Sequence, residues 1–124
     1  MNKKIQILSR YVVAILLVQT LRYKFLAHPD SVYIFETIGM EPFGRIGIGV
    51  LELITAILLI VKRTAWLGAF SSIGLMIGAL FFHLTILGIE VQGDGGTLFF
   101  MAVITWLLSL WILWNEQKNI PLLK

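Results

Sequence analysis

The stretch AWLGAFSSIGLMIGALFFHLTIL, residues Ala65–Leu87, decides the fold of this chain. At about 1.5 Å per residue, a helix of this length crosses the roughly 30 Å hydrocarbon layer of a bilayer. Such an apolar run is typical of a transmembrane helix. His83 is its single ionisable residue. Because an ionisable side chain at this depth costs several kcal/mol unless it meets a partner, a ligand or water, His83 is a candidate functional residue.

Three further apolar blocks place almost the whole chain in a membrane. Of its 124 residues, 58% are hydrophobic and 14% are charged, whereas about 25% of a soluble domain is charged. Between the clusters of charge we predict spans at 5–26, 44–61, 65–87 and 97–114. Too few residues remain for a soluble domain. The sequence therefore predicts an all-α fold, a single membrane domain over 1–124 that forms an integral membrane four-helix bundle.

The basic residues predict how this bundle is oriented. Four spans place both termini on one side of the membrane. That side holds seven of the ten lysines and arginines: Lys3, Lys4, Arg10, Lys62, Arg63, Lys118 and Lys124. The positive-inside rule thus predicts that both termini are cytoplasmic. The first block has a basic start but no A-x-A-like cleavage site, so we expect a retained helix and not a signal peptide.

The two outer loops differ in kind. The longer loop predicts a short amphipathic helix at 31–38, which Asp30 or Ser31 can cap and Gly39 can end. We expect this helix to lie on the outer membrane face or to fold down over the bundle. In the second loop, Asp94 lies in a glycine-rich turn close to the start of the fourth span. One carboxylate is too few for a dedicated cation site there.

Polar side chains from three spans fall at one depth in the outer half of the predicted bundle. Glu52 lies about 10 Å below the outer end of the second span, and His83 lies roughly 7–8 Å below that of the third. Gln19 and Arg22 lie at a similar depth on the first span. We therefore predict one polar pocket, open toward the outer side, with these candidate ligand-binding residues: Glu52, His83, Arg22, Gln19, Lys24 and Arg45.

Two interpretations of this pocket are open. A buried carboxylate must be paired or hydrogen-bonded, so a Glu52–Arg22 or Glu52–His83 pair could simply stabilise the bundle, with Arg22 and Lys24 as interfacial anchors. Alternatively, a carboxylate and an imidazole in a low-dielectric cavity can relay a proton or hold the polar head of an amphiphile such as a quinone. One histidine and one glutamate fall short of a catalytic metal site, so we predict none.

The third span presents two different faces. His83 shares one stripe with Met76 and Ala79, whereas Gly74 and Gly78 lie on the opposite stripe in a GxxxG spacing that favours close helix approach. The chain has no cysteine, which excludes disulfides, thiolate metal sites and thiol relays. Its basic residues lie at span ends and not along one surface, so they do not indicate a nucleic-acid partner.

Several of these residues also carry a family resemblance. It extends over nearly the whole chain and is strongest in five segments: Leu21–Phe25, Gly39–Gly47, Gly49–Leu53, Ala79–Leu84 and Val91–Gly96. A basic residue that closes the first helix, a glutamate early in the second and a histidine late in the third form its most specific combination. The chain resembles the DoxX-like family of small four-helix bacterial membrane proteins.

The resemblance implies a multi-pass protein of the bacterial cytoplasmic (inner) membrane. Some members of the family are associated with quinone-linked oxidation of sulfur compounds, and others with membrane redox complexes or with the assembly of other proteins. Because nothing in this chain supplies a redox centre, a redox role would require a bound quinone or a partner subunit.

We predict a quinone- or small-amphiphile-binding subunit of a membrane oxidoreductase system. Its expected partners are the lipid bilayer, a quinone or lipid ligand, and a partner subunit or a second copy of the chain. The alternative is a membrane accessory or assembly protein whose polar cluster is structural and whose working surface is a helix face such as Gly74–Gly78. A small transporter is less favoured, because four short spans without broken helices offer no evident alternating-access machinery. No motif identifies a catalytic group.

Overall fold

The structure, a computed structural model, describes residues 3–121, and this part of the chain contains no strand. Lys124, one of the residues used to predict the orientation, lies outside the described residues. The α-helices are α1 (Lys3–Val18), α2 (Leu21–Phe25), α3 (Pro29–Thr37), α4 (Phe43–Ile60), α5 (Ala65–Phe82) and α6 (Thr97–Glu116). A π-helical turn, His83–Leu87, continues α5, and 3₁₀ turns lie at Lys62–Thr64 and Gln117–Asn119.

Four segments are helical, long and apolar enough to cross a membrane: Lys3–Phe25, Phe43–Ile60, Lys62–Leu87 and Thr97–Asn119. They overlap the four predicted spans, so the all-helical fold with four membrane-compatible helices is confirmed. Large apolar side chains point away from the bundle, among them Phe43, which is 85% exposed, and Trp114, which is 70% exposed. Such surfaces suit contact with lipid and would be a liability in water.

The long helices α1, α4, α5 and α6 pack in that cyclic order, and α3 lies across one end of the bundle. We call this the α3 end; α1 begins and α6 finishes at the opposite end. The core contains Val13, Leu59 and Ile112, which are almost completely buried. A hydrogen bond of 2.7 Å between the Ser72 and Ser109 hydroxyls joins α5 to α6 inside it.

The first membrane-compatible helix, Lys3–Phe25, overlaps the predicted span 5–26 but is interrupted at Gln19–Thr20, between α1 and α2. The amide of Thr20 bonds to the carbonyl of Leu17, three residues back, at 3.3 Å. That shift leaves the carbonyl of Leu16 without its usual amide donor, and Gln19 Nε2 donates to it at 3.3 Å. The chain then continues as α2.

The predicted short helix is present as α3, but it begins at Pro29 and not at residue 31. Neither Asp30 nor Ser31 caps it. Instead, His28 Nδ1 accepts a hydrogen bond from the amide of Asp30 at 3.2 Å, and Pro29 occupies the first helical position. Gly39 follows the helix in a left-handed conformation, φ +77°. Of the two predicted locations, the structure shows the one over the bundle, because α3 contacts α2, α4 and the π-helical turn.

The close helix contact within the chain does not involve the predicted glycines. A Cβ atom added at Gly74 or Gly78 would meet nothing within 4 Å, so the expectation of close packing there is wrong for contacts inside this chain. A Cβ at Gly68 would lie 2.7 Å from the amide nitrogen of Leu59. Of the three glycines of α5, Gly68 is thus the one that packs against the backbone of α4.

Candidate functional site

A cavity of about 660 Å³ lies between the long helices at the α3 end of the bundle. Its size is within the range of about 300–1,000 Å³ that is usual for ligand sites. Most of its wall is apolar, and α3 covers it with Ile34, Phe35 and Ile38. Polar and charged residues also line it: Gln19, Thr20, Tyr23, Lys24, Asp30, Ser31, Glu52, His83, Asp94, Thr97 and Thr105.

Glu52 projects from α4 into the wall of this cavity and is only 4% exposed. Lys24 Nζ lies 2.8 Å from Glu52 Oε1, which makes an ion pair between α2 and α4. The contact lacks hydrogen-bond geometry at Oε1, so this oxygen has no hydrogen-bond donor among the described residues. Lys24 also donates to the hydroxyl of Thr20 at 3.1 Å. The expected pairing of Glu52 with Arg22 or His83 is therefore wrong, and Lys24 takes that place.

Arg22 does not join the cavity. Its side chain is exposed, donates to the hydroxyl of Tyr23 at 3.1 Å and lies 5.0 Å from the centroid of the Tyr23 ring. Helical periodicity explains this placement, because Lys24 lies seven residues after the buried Leu17 and on the same face, whereas Arg22 lies about 140° away from it. In the resumed helix, Lys24 faces the cavity and Arg22 does not.

Arg45 is buried behind the cavity wall and does not line it. Its Nε donates to both carboxylate oxygens of Glu41, at 2.8 Å and 3.0 Å, and its Nη1 donates to the backbone carbonyl of Lys24. The planar guanidinium can reach both partners at once, which an ammonium group cannot do in the same way. Arg45 therefore positions the end of α2, and with it Lys24, against the beginning of α4.

His83 lies at the start of the π-helical turn and is 6% exposed. Its Nδ1 is 2.9 Å from the carbonyl oxygen of Gly88. Since a carbonyl only accepts, Nδ1 carries the hydrogen, and the neutral ring then presents Nε2 as an acceptor. Nε2 has no protein partner among the described residues, and His83 lines the cavity. π-Helical turns often mark functional sites.

Asp94 reaches the cavity from the loop before α6, a role that was not predicted from the sequence. Its Oδ1 accepts from the amides of Val91 and Gly96, at 3.0 Å and 2.8 Å, and its Oδ2 from the amide of Leu98 at 3.1 Å. Partial burial opposes ionisation, but these three hydrogen bonds outweigh it and lower the pKa of Asp94 from its ordinary value of 3.8. The glycine-rich turn around Asp94 was the sequence feature that could have indicated this role.

The structure thus brings together Glu52, His83, Lys24 and Gln19, and leaves Arg22 and Arg45 outside the cavity. The walls from α3 and α6 were not predicted as part of the site. For α3, its amphipathic pattern was the available signal. For α6, none was available, because the cavity-lining Met101 and Thr105 are ordinary residues for a membrane helix.

These side chains offer a small and specific set of hydrogen bonds. The Lys24 ammonium has three donors, of which one is bonded to Thr20 and one faces Glu52. A donor therefore remains for a ligand oxygen. The Glu52 carboxylate and His83 Nε2 are acceptors for a ligand hydroxyl. The cavity can accordingly hold a mostly apolar molecule that carries carbonyl or hydroxyl oxygens.

A scan against protein-family models finds no match to this chain, and searches of curated proteins and of solved structures find none either. The resemblance to the DoxX-like family stays a prediction that rests on the quoted residues.

Proposed function

We propose that this chain is a DoxX-like protein of the bacterial inner membrane that binds a quinone, or an amphiphile of similar size, as a subunit of a membrane oxidoreductase system. One observation carries the proposal. A cavity of about 660 Å³ has mostly apolar walls, yet Lys24, Glu52 and His83 converge on it from three different helical segments. Ligand sites typically combine apolar walls with a few polar groups of this kind.

The chemistry of a quinone fits these groups in both redox states. The carbonyl oxygens of a quinone accept hydrogen bonds, which suits the remaining donor of Lys24. The hydroxyl groups of a quinol donate, which suits Glu52 and the Nε2 of His83. A carboxylate and an imidazole can also accept the protons that a quinol releases on oxidation. The same three side chains therefore offer hydrogen-bond partners to both states.

The proposal assigns electron exchange to a partner subunit. The chain contains no cysteine, and residues 3–121 contain no group of three His, Cys, Asp or Glu side chains that could hold a metal ion. A bound quinone is then the redox-active group that this chain holds. The partner subunit supplies the electron donor or acceptor for that quinone.

The second candidate is a membrane accessory or assembly protein. Two observations favour it. Lys24 neutralises Glu52 without any ligand, as a structural pair would. The face around Gly74 and Gly78 is open, with nothing within 4 Å of an added Cβ, and could accept a helix of another protein. Under this alternative, Gly78→Ile disrupts a co-purifying complex and quinone does not bind.

Quinone-dependent thermal stabilisation in lipid nanodiscs tests the proposal. The probe is a benzoquinone with a decyl tail, titrated into wild type and three variants. His83→Ala and the double variant Lys24→Met/Glu52→Gln remove cavity groups, so we expect each to weaken binding about tenfold or more. Arg22→Gln removes an exposed charge outside the cavity and should bind as wild type does.

Two results would contradict the proposal. One is an unchanged melting temperature of wild type at saturating quinone, because a ligand that binds only the folded state must stabilise it. The other is equal stabilisation of wild type and all three variants, which would place the quinone outside the cavity. Circular dichroism of each variant shows whether it is folded, and loss of folding on both cavity changes would favour the structural alternative.

A further inference from the structure

Helices α4 and α5 are in close contact near the end of the bundle that is remote from α3. There, a Cβ added at Gly68 would lie 2.7 Å from the amide nitrogen of Leu59. About one turn further along α5, the hydroxyl of Thr55 donates to that of Ser71 at 3.2 Å. The two helices therefore touch through small and polar side chains over the first half of their common length.

The same two helix faces continue toward the α3 end. About two turns beyond Ser71, Gly78 lies on the same face of α5, and Ile48 lies on the corresponding face of α4 about two turns beyond Thr55. A Cβ at Gly78 would nonetheless meet nothing within 4 Å. Both Gly78 and Ile48 line the cavity. Open space therefore adjoins Gly78 on the face toward α4, and this gap is continuous with the cavity.

This gap reaches the surface of a membrane-spanning helix. Gly74 lines the cavity and is also exposed, and it lies in the middle of α5 and not at its end. On the side toward the loops, α3 covers the cavity, with Phe35 buried beneath it. Ile48 and Phe82, which line the cavity on the same stretches of α4 and α5 as Gly78, are apolar. The gap opens where hydrocarbon surrounds the bundle.

We infer that the gap between α4 and α5 is a lateral portal through which the hydrocarbon tail of the bound amphiphile extends into the membrane. The polar head stays at Lys24, Glu52 and His83, and the tail passes Gly78 and Gly74. This inference rests on the proposed function. A hydrocarbon tail is the expected occupant of the gap, because the gap opens into lipid. It is also continuous with the cavity in which the polar side chains would hold the head of the amphiphile.

Two glycine substitutions and two quinones test the portal. Gly78→Leu fills the gap, whereas Gly47→Leu adds the same side chain to an exposed glycine of α4 that does not line the cavity and also has nothing within 4 Å. The probes are a dimethoxy-methyl-benzoquinone without a tail and its decyl derivative, titrated into protein in nanodiscs. We expect Gly78→Leu to weaken binding of the decyl derivative about tenfold or more and to leave the tail-less quinone unchanged. Gly47→Leu should change neither.

The outcomes separate failure of the portal from failure of the proposed function. If wild type binds both quinones saturably and Gly78→Leu matches Gly47→Leu for the decyl derivative, the portal is wrong and the cavity site stands. If Gly78→Leu weakens both quinones equally, the head lies in the gap and the portal is again wrong. If neither quinone binds wild type, both proposals fail. If native mass spectrometry shows that Gly78→Leu converts an oligomer to monomers, a helix of a second copy fills the gap, which also contradicts the portal.

Discussion

At the scale of single residues, the cost of burying Glu52 identifies it as a special residue but does not identify its partner. A carboxylate that is 4% exposed requires compensation. Arg22 and Lys24 are both basic and lie two positions apart, so either could supply it from the sequence alone. The structure decides between them, because Lys24 continues the inward face of the buried Leu17, seven residues earlier, and Arg22 does not. Lys24, at 2.8 Å, is the observed partner.

Removal of one member of this pair is expected to cost more than removal of both. Glu52→Gln leaves the ammonium of Lys24 without its counter-charge, and Lys24→Met leaves a buried carboxylate unpaired, so each should destabilise the protein by about 3 kcal/mol. The double variant should lose clearly less than the sum of the two. Thermal or denaturant unfolding in detergent measures this double-mutant cycle. Additive losses would show that the pair contributes no coupling.

Asp94 predicts a dependence of stability on acidic pH. Its pKa in the folded protein is below the ordinary value of 3.8, so its stabilising effect is complete above that value and is lost as pH falls through the folded pKa. Asp94→Asn retains one acceptor oxygen and loses the bond to the Leu98 amide. The melting temperature of wild type should therefore exceed that of Asp94→Asn at pH 6, and the difference should shrink toward pH 3. Asp30→Asn serves as the control for loss of one negative charge. If the difference in melting temperature between wild type and Asp94→Asn stayed constant from pH 6 to pH 3, ionisation of Asp94 would have no role.

At the scale of helices, the glycines of α5 differ in what they contact. A Cβ at Gly68 would meet the backbone of Leu59 at 2.7 Å, whereas a Cβ at Gly78 would meet nothing within 4 Å. Gly68→Ala must separate α4 from α5 and should destabilise the protein by about 1–3 kcal/mol. Gly78→Ala should be neutral or stabilising by up to about 1 kcal/mol, since alanine favours helix. Unfolding curves of the two variants compare them directly; equal losses would contradict the assigned packing.

The sequence predicts the helices better than it predicts their contacts. Long apolar blocks and charged ends suffice to locate four membrane helices, because both follow from the thickness and polarity of a bilayer. The break at Thr20 depends on side-chain hydrogen bonds to backbone carbonyls, which no hydropathy pattern reveals. The spacing of Gly74 and Gly78 shows where a helix could approach but not whether one is present. Glu52, His83, Lys24 and Gln19 could be assigned to the cavity by polarity at a common depth, whereas the α6 wall could not.

At the scale of the whole molecule, the predicted orientation of the bundle in the membrane can be tested with single cysteines. Because the chain has no cysteine, single cysteines report location without a background signal. Glu36 lies on the exposed side of α3, and Arg63 lies in the exposed turn between α4 and α5. Each can be replaced by cysteine. If both termini are cytoplasmic, a membrane-impermeant maleimide labels Glu36→Cys in intact cells and labels Arg63→Cys only after permeabilisation. The reverse pattern would contradict the orientation and place the cavity in the inner leaflet.

The central claim is that the cavity binds an amphiphile through Lys24, Glu52 and His83. Native mass spectrometry of gently extracted protein tests it most directly, with wild type and Lys24→Met/Glu52→Gln compared side by side and Arg22→Gln as the control. We predict that wild type and Arg22→Gln retain one bound molecule whose mass, after release, is that of a quinone, and that the double variant loses it while remaining folded. Wild type without a bound molecule, or a double variant that retains the same molecule, would contradict the claim.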